Sequence, residues 1–333
     1  MTTKQIVLAS RPIGMPTVAN FKFENIELPD LEKGKVLLKG VYYSVDPYMR
    51  GRMSDAKSYI PPFQEGKPIE GSVIARVLES QTDGFEKDDL VLGMLPWSRE
   101  FISEGKGLQK IDSSNTHPSY YLGILGMTGL TAYFGFLDIG KPKSSETLVV
   151  SGAAGAVGMV VGQIAKIKGC QVIGIAGSED KIKLLKEEFG FDGAINYKQK
   201  ADIKAAIAGL CPNGVDIYFD NVGGEISDAV IANINKGARI IICGQISTYN
   251  DTQAPVGPRP QSALLRKSAL MQGFIVSNYI SRFPEGVIQL SEWLKTGKLH
   301  YRETIIKGFE RLPDAFISLF AGKNMGKMLV EME

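Results

Sequence analysis

Thr147 to Gly158 reads T-L-V-V-S-G-A-A-G-A-V-G. Four residues suited to a buried strand run into a small-residue turn, and an apolar helix follows through Val161, Ile164, Ala165 and Ile167. Such a turn leaves backbone N–H groups free at the helix start, where the helix dipole adds partial positive charge. It therefore suits a pyrophosphate. This is the dinucleotide-binding pattern with alanine in the first glycine place: Ala153, Gly155 and Gly158 hold the three key positions. The plainer reading is a tight strand–helix turn without a ligand, and the surrounding chain decides between the two.

Downstream, strands and helices alternate. Gln171 to Ala176 reads as a strand and Glu179 to Glu188 as a helix. Val215 to Asp220 is a strand with a helix from about Glu225, and Arg239 to Cys243 is a strand ending at Gly244. Phe283 to Thr296 reads as a late helix. This alternation implies a parallel sheet covered by helices. Upstream, Lys35–Tyr43, Ser72–Leu78 and Leu90–Met94 read as short strands among Pro and Gly punctuators. The character changes near Tyr121, and Leu122 to Phe136 reads as a helix. The expected fold class is α/β: a β-rich domain over 1–125, completed by 298–333, and a doubly wound parallel-sheet domain over 126–297.

The 333 residues carry a net charge of +2, with 44% apolar and 22% charged residues. That balance argues against nucleic acid or a membrane surface as partner. No apolar run reaches a membrane span, and M-T-T-K-Q-I-V-L shows no signal-peptide core. Cys170, Cys211 and Cys243 without a secretory signal fit a reducing, cytoplasmic setting. His117 and His300 are the only histidines and no C-x-x-C pair occurs, so no metal site is expected.

The second strand sharpens the cofactor. An NAD site usually places a carboxylate at its tip, about 20 residues on, to bind the ribose 2′-OH. Here the tip reads I-A-G-S, from Ile175 to Ser178. Gly177 and Ser178 leave room for a 2′-phosphate. Lys181 either supplies charge to it or is a solvated helix lysine. Glu179 and Asp180 are placed in the helix's first turn, facing solvent. The expectation is NADPH. Two further strand ends, around Asn221 and from Cys243 to Tyr249, point at the same crevice. Asn221 reads equally as a turn residue bonding its own backbone.

Several stretches together resemble the zinc-independent medium-chain dehydrogenase/reductases, in the group of prostaglandin, alkenal double-bond and curcumin reductases. They are V-D-P-Y-M-R-G-R-M (45–53), G-M-T-G-L-T-A-Y (126–133), A-A-G-A-V-G, F-D-N-V-G-G (219–224), C-G-Q-I-S-T-Y-N (243–250) and G-K-N-M-G-K (322–327). The resemblance implies a GroES-like catalytic domain with a Rossmann domain, and NADPH-dependent reduction of the C=C bond of α,β-unsaturated ketones and aldehydes. It implies that Ala156, Val157, Gly158 and Met159 hold the pyrophosphate, and that Lys181 and Tyr197 approach the 2′-phosphate. It implies that Thr128, Asn221, the turn of Cys243, Gly244, Gln245, Ile246, Ser247, Thr248 and Tyr249, the segment Phe274, Ile275 and Val276, and Asn324 complete the cofactor site. Where the zinc-dependent relatives read G-H-E, this chain reads Ile69-Glu70-Gly71, so that histidine ligand is missing.

Hydride delivered to the β-carbon of an enone builds negative charge on the carbonyl oxygen, and the α-carbon then needs a proton. Tyr249 is the first candidate donor and matches the family's active-site tyrosine. A second is Tyr48. Arg50 and Arg52 either meet an acidic substrate tail or bond local backbone. Pro61, Pro62 and Phe63 are read as a loop that could cover an apolar substrate. The alternatives are an NADPH quinone oxidoreductase and a non-catalytic NADPH-binding protein of the same fold. A homodimer is the family expectation, through the apolar strand Leu270 to Val276 at the sheet edge.

Overall fold

The computed structural model describes residues 1–112, 114 and 116–332. The boundary expected at residue 125 and the tail to 333 therefore include Ser113, Asn115 and Glu333, which lie outside the described residues. The chain begins with β1 (Thr2–Leu8), β2 (Phe21–Glu27) and β3 (Val36–Ser44), then the single turn α1 (Met49–Arg52). β4 (Glu70–Ser80), β5 (Leu90–Pro96), β6 (Glu100–Ser103) and β7 (Gln109–Lys110) follow. β1 and β2 pair antiparallel. β3, β4, β5 and β7 lie side by side, with β6 also bonded to β3. Alternation in β3 buries Val36 and Leu38, and a register shift between Gly40 and Tyr42 brings Tyr43 into the same core with Phe101, Trp97 and Phe309.

α2 (Met127–Phe134) opens the second unit, and β8 (Thr147–Ser151) is its first strand. The chain continues through α3 (Gly158–Ile167), β9 (Gln171–Ala176), α4 (Glu179–Glu187), β10 (Gly193–Asn196), α5 (Ile203–Leu210) and β11 (Val215–Asp220). α6 (Gly224–Ile231), β12 (Ile234–Ile242), α7 (Gln261–Lys267), β13 (Leu270–Gly273) and α8 (Phe283–Lys295) complete it. Among the described residues the sheet order is β10-β9-β8-β11-β12-β13, all parallel. The order reverses between β8 and β11, and a crevice opens there at the strand ends. β8 is buried along its whole length, as a central parallel strand with helices on both faces must be.

The expected helix over Leu122–Phe136 is corrected. A 3₁₀ turn covers Pro118–Leu122, α2 starts at Met127, and a wider helical turn carries Gly135–Gly140. Close backbone approach explains the break: a Cβ on Gly126 would lie 2.1 Å from the Tyr121 carbonyl oxygen. β12 begins at Ile234, before the expected Arg239, and Gly237 bends it at φ +75°.

After α8 the chain returns to the first sheet through β14 (Glu303–Lys307), α9 (Leu312–Phe320) and β15 (Lys327–Glu331). β15 pairs parallel with β14 and antiparallel with β3. Lys327, 1% exposed, enters this core as an ion: its Nζ donates to Asp46 Oδ1 at 2.9 Å and to the carbonyls of Val45 and Met328. Among the described residues no helix is long and apolar enough to cross a membrane.

Candidate active site

β8 delivers the chain into the crevice at Ser151. The tight turn is taken at Gly152, with φ +60°, one residue before the alanine that holds the first pattern position. Ala153 instead fills core space. Gly155 N–H donates to the Gly152 carbonyl at 2.9 Å. A Cβ on Gly158 would lie 2.4 Å from that same oxygen, so only glycine lets the helix start this close. α3 begins without a side-chain cap. Gly155 bridges Gly326 in parallel, which turns the Ala156 N–H toward the Gly326 carbonyl; among the described residues the N–H groups of Val157 and Gly158 have no backbone acceptor. They are open donors at the positive end of a dipole. Met159 N–H donates to the Gly155 carbonyl at 3.1 Å, and its side chain is buried.

At the tip of β9, Gly177 is roofed by two side chains. A Cβ there would lie 3.0 Å from the Tyr197 ring and 3.3 Å from Lys198 Cε. The Ser178 hydroxyl caps α4 by accepting from Lys181 N–H at 3.4 Å. Lys181 Nζ donates to the Gly322 carbonyl at 2.7 Å. Burial, and then the nearby Lys198 charge, lower its pKa. Two ammonium groups and a phenol around a glycine suit a dianionic phosphate. Glu179, placed in solvent by the sequence reading, is exposed but accepts from Asn196 Nδ2 at 2.7 Å. Lys198 was not singled out in the sequence, although it directly follows Tyr197.

Asn221 turns its amide to its neighbour strand: Nδ2 donates to the Ser151 carbonyl at 2.8 Å. Its backbone N–H donates to Ser151 Oγ, which donates to Asp220 Oδ1 at 3.0 Å. The ends of β8 and β11 are thereby locked together. Cys243 and Gly244 both donate their N–H groups to the Asp220 carbonyl. Burial pushes the Cys243 thiol up to about 12. Ile246–Thr248 is a 3₁₀ turn held to Asn221, Val222 and Gln245. Ser247 Oγ donates to the Val222 carbonyl at 2.6 Å, and Thr248 Oγ1 to Gln245 O at 3.1 Å.

Tyr249 folds back over this turn. Its hydroxyl oxygen accepts from Gln245 N–H at 3.3 Å. With the oxygen so engaged, the phenolic proton is free to be given elsewhere. Burial is the first cause of its raised pKa, so at neutral pH the group is a donor. Phe274 closes the floor, edge-on to Phe219 and against Gly135. Ile275 and Val276 lead into a 3₁₀ turn. Asn324 Nδ2 donates to the Gly326 carbonyl at 2.8 Å, and Gly326 N–H donates to the Ala154 carbonyl at 2.8 Å. The tail thus closes onto the phosphate turn. Thr128 is 6% exposed, and its hydroxyl lies against the buried Tyr301 phenol.

The opposite wall belongs to the first unit. Tyr48 stands at the start of α1, with its pKa raised by burial before any nearby charge. Arg50 and Arg52 are both seen bonding the protein's own groups. Arg50 is bonded to Asn250 Oδ1 and to the Pro12 and Gly14 carbonyls. Arg52 Nε donates to the Pro61 carbonyl at 3.0 Å, its Nη2 lies 3.5 Å from Glu70, and its guanidinium lies over the Phe63 ring at 4.0 Å. Phe63 is therefore core, 3% exposed, and not a cover. The exposed aromatic of that loop is Tyr59, whose phenol feels Tyr249, Cys243 and Arg52. A single tyrosine in a Ser- and Pro-rich loop carried no signal of this.

The residues present fit a dinucleotide with a 2′-phosphate. A turn that admits no Cβ at Gly158 offers open N–H groups, and Tyr197 and Lys198 roof Gly177. Among the described residues no group of three His, Cys, Asp or Glu side chains is placed to hold a metal ion.

Comparison with known proteins agrees along the whole chain. The family described as the N-terminal domain of oxidoreductase matches residues 4–111, and the one described as zinc-binding dehydrogenase matches 156–293. The Bacillus subtilis protein YfmJ, which carries the name of an NADP-dependent oxidoreductase, is 58% identical over 99% of this chain and 97% of its own. The NADPH-dependent curcumin reductase of Escherichia coli is 45% identical over 98% of this chain and 96% of its own. The NADP(+)-dependent 2-alkenal reductase of Nicotiana tabacum is 42% identical over 99% and 97%. The crystal structure of CurA from Vibrio vulnificus in complex with NADPH superposes with a TM-score of 0.95, at 48% identity and 99% coverage of both chains. The chain belongs to the medium-chain dehydrogenase/reductases, in the group that holds the curcumin, alkenal and prostaglandin reductases.

Proposed function

We propose that this chain is an NADPH-dependent reductase of the C=C bond of α,β-unsaturated ketones and aldehydes. The observation that carries the reading is the Tyr249 hydroxyl, its oxygen held by Gln245 N–H and its proton free, at the mouth of a crevice shaped for a phosphorylated dinucleotide. NADPH, when bound, supplies a hydride to the β-carbon of the substrate. The open N–H groups of Val157 and Gly158, with the turn at Ala156, hold its pyrophosphate, and Lys181, Lys198 and Tyr197 hold its 2′-phosphate.

Tyr249 then donates to the carbonyl oxygen as it gains negative charge, the point at which a preorganised donor matters most. Tyr48, from the facing unit, is the second donor, and one of the two phenols protonates the enolate. Phe274 and the first-unit wall keep water from the reacting atoms. The test follows oxidation of NADPH with an alkenal, an aryl enone and a quinone in turn. Product spectra show a saturated C–C bond beside an intact carbonyl if the reading holds. NADPH binding without turnover on any acceptor rejects it.

The chain acts, in this reading, as a cytoplasmic homodimer. Among the described residues β13 is an edge strand of its sheet, paired on one side only, and Leu270 in it is exposed. Pairing of two such edges would cover them, and light scattering gives the mass that decides it.

A further inference from the structure

Tyr48 and Tyr249 stand on different units, and their separation is set by whatever bridges the crevice. One buried side chain does so. Arg50 lies two residues after Tyr48 and is 7% exposed. Its Nε donates to Asn250 Oδ1 at 2.9 Å, and its Nη2 donates to the Gly14 carbonyl at 2.9 Å and to the Pro12 carbonyl at 3.4 Å. Asn250 is the residue after Tyr249, and its Nδ2 donates to Met15 Sδ at 3.4 Å. Gly14 is left-handed at φ +73°, and a Cβ there would sit 3.7 Å from the Asn250 carbonyl oxygen. Helix turn, N-terminal loop and Tyr249 turn thus meet at one guanidinium.

Among the described residues Arg50 bonds only Asn250 and the Pro12 and Gly14 carbonyls, with no carboxylate partner, and burial lowers its pKa. A buried cation facing only neutral oxygens is an expensive way to fill space, and a hydrophobic residue of similar volume would usually do so at less cost. What a hydrophobic residue lacks is a rigid fork of donors. We propose that Arg50 is a positioning residue. Through Asn250 and the Pro12–Gly14 loop it fixes the Tyr249 turn against the Tyr48 turn, and so the gap in which the enone is held. This rests on the reading of Tyr249 as a donor to the substrate. Arg50 touches no reacting atom, and its effect passes through Asn250.

The experiment uses the full-length protein. Arg50→Leu removes the fork and keeps the bulk; Asn250→Ala removes the acceptor; Asn250→Asp keeps one. A misplacement of about 1 Å costs about 100-fold in rate. Arg50→Leu and Asn250→Ala are each expected to lower kcat with an aryl enone by about 10- to 100-fold. The Kd for NADPH, read by nucleotide fluorescence, is expected to move less than about threefold, because the phosphate sites lie on other turns. The double variant is expected to be no slower than the worse single one, since both break one contact. Asn250→Asp is expected to recover most of what Asn250→Ala loses.

Losses that multiply in the double variant, a kcat unchanged in Asn250→Ala, or NADPH affinity falling in step with kcat would overturn the proposal. If Arg50→Leu does not fold, Asn250→Ala and Asn250→Asp at a half-buried position decide it alone. Tyr249→Phe in the same assay separates the two levels. An unchanged Tyr249→Phe removes the donor reading itself. A slow Tyr249→Phe beside a fast Asn250→Ala removes only the positioning role.

Discussion

The backbone amide of Gly326 donates to the carbonyl of Ala154 at 2.8 Å. One partner is in the phosphate turn of the parallel sheet, the other at the entrance to β15 of the first sheet. Gly326 is left-handed at φ +69°, and a Cβ on it would lie 1.9 Å from the Arg302 carbonyl oxygen. Gly326→Ala must therefore move backbone. A stability loss of roughly 2–3 kcal/mol is expected, seen as a fall of several degrees in Tm, together with weaker NADPH binding. An unchanged Tm would show that the tail is free to shift.

Lys181→Ala is expected to raise the KM for NADPH by about 10- to 100-fold, the worth of a charge-assisted contact to phosphate. The KM for NADH is expected to change by less than about threefold. Lys198→Ala is expected to act in the same direction with a smaller effect. Equal losses with both nucleotides would remove the lysines from the 2′-phosphate site.

Tyr249→Phe keeps the ring and deletes the donor. A fall in kcat of roughly 10²- to 10³-fold is expected, as for loss of one donor to a developing oxyanion, with NADPH affinity nearly unchanged. Steady-state kinetics with a single enone reads both parameters.

Lys327→Met breaks an ion pair in which Lys327 is 1% and Asp46 4% exposed. Asp46 would keep only the Ser44 hydroxyl as a partner. A loss of roughly 3–5 kcal/mol is expected in denaturant unfolding. The further change Asp46→Asn is expected to return part of it, and a larger loss in the double variant would contradict this.

Glu303 tests the sign of a buried acid. Its Oε2 accepts from Ser119 Oγ at 2.7 Å, while Oε1 is buried and has no partner among the described residues. Burial raises its pKa, and Ser119, His117 and Lys327 only partly oppose that. The folded protein thus holds this proton more tightly than the unfolded chain. Its contribution to stability is fully present below the unfolded value near 4.3 and is lost as pH rises through the folded value. Glu303→Gln is expected to gain stability over the parent as pH goes from 4 to 7. A difference that stays flat across that range would mean the carboxyl is not desolvated.

Some of this was legible because local pattern and tertiary role coincide. The run into Gly158 needs small residues both to turn and to admit a phosphate, so one reading serves both. The tip at Gly177 was legible through a missing carboxylate. Arg50 was not, because its acceptor is 200 residues away, and a basic side chain in a short turn looks the same whether it meets a ligand or a carbonyl. The break before α2 was hidden in Gly123 and Gly126, whose cost to a helix depends on what presses against them. Here Tyr301 fills the space beside Gly123 and the Tyr121 carbonyl the space beside Gly126. Gly152 escaped notice because the alanine after it occupied the expected place.

Cys243 sits in the same turn segment as Tyr249, with its thiol held up to about 12 by burial. Unsaturated aldehydes are soft electrophiles, and it is the thiolate that they alkylate. Burial holds this thiol in its protonated form. A reductase that draws these compounds into its own crevice thereby keeps the thiol of its donor turn in the form they leave alone.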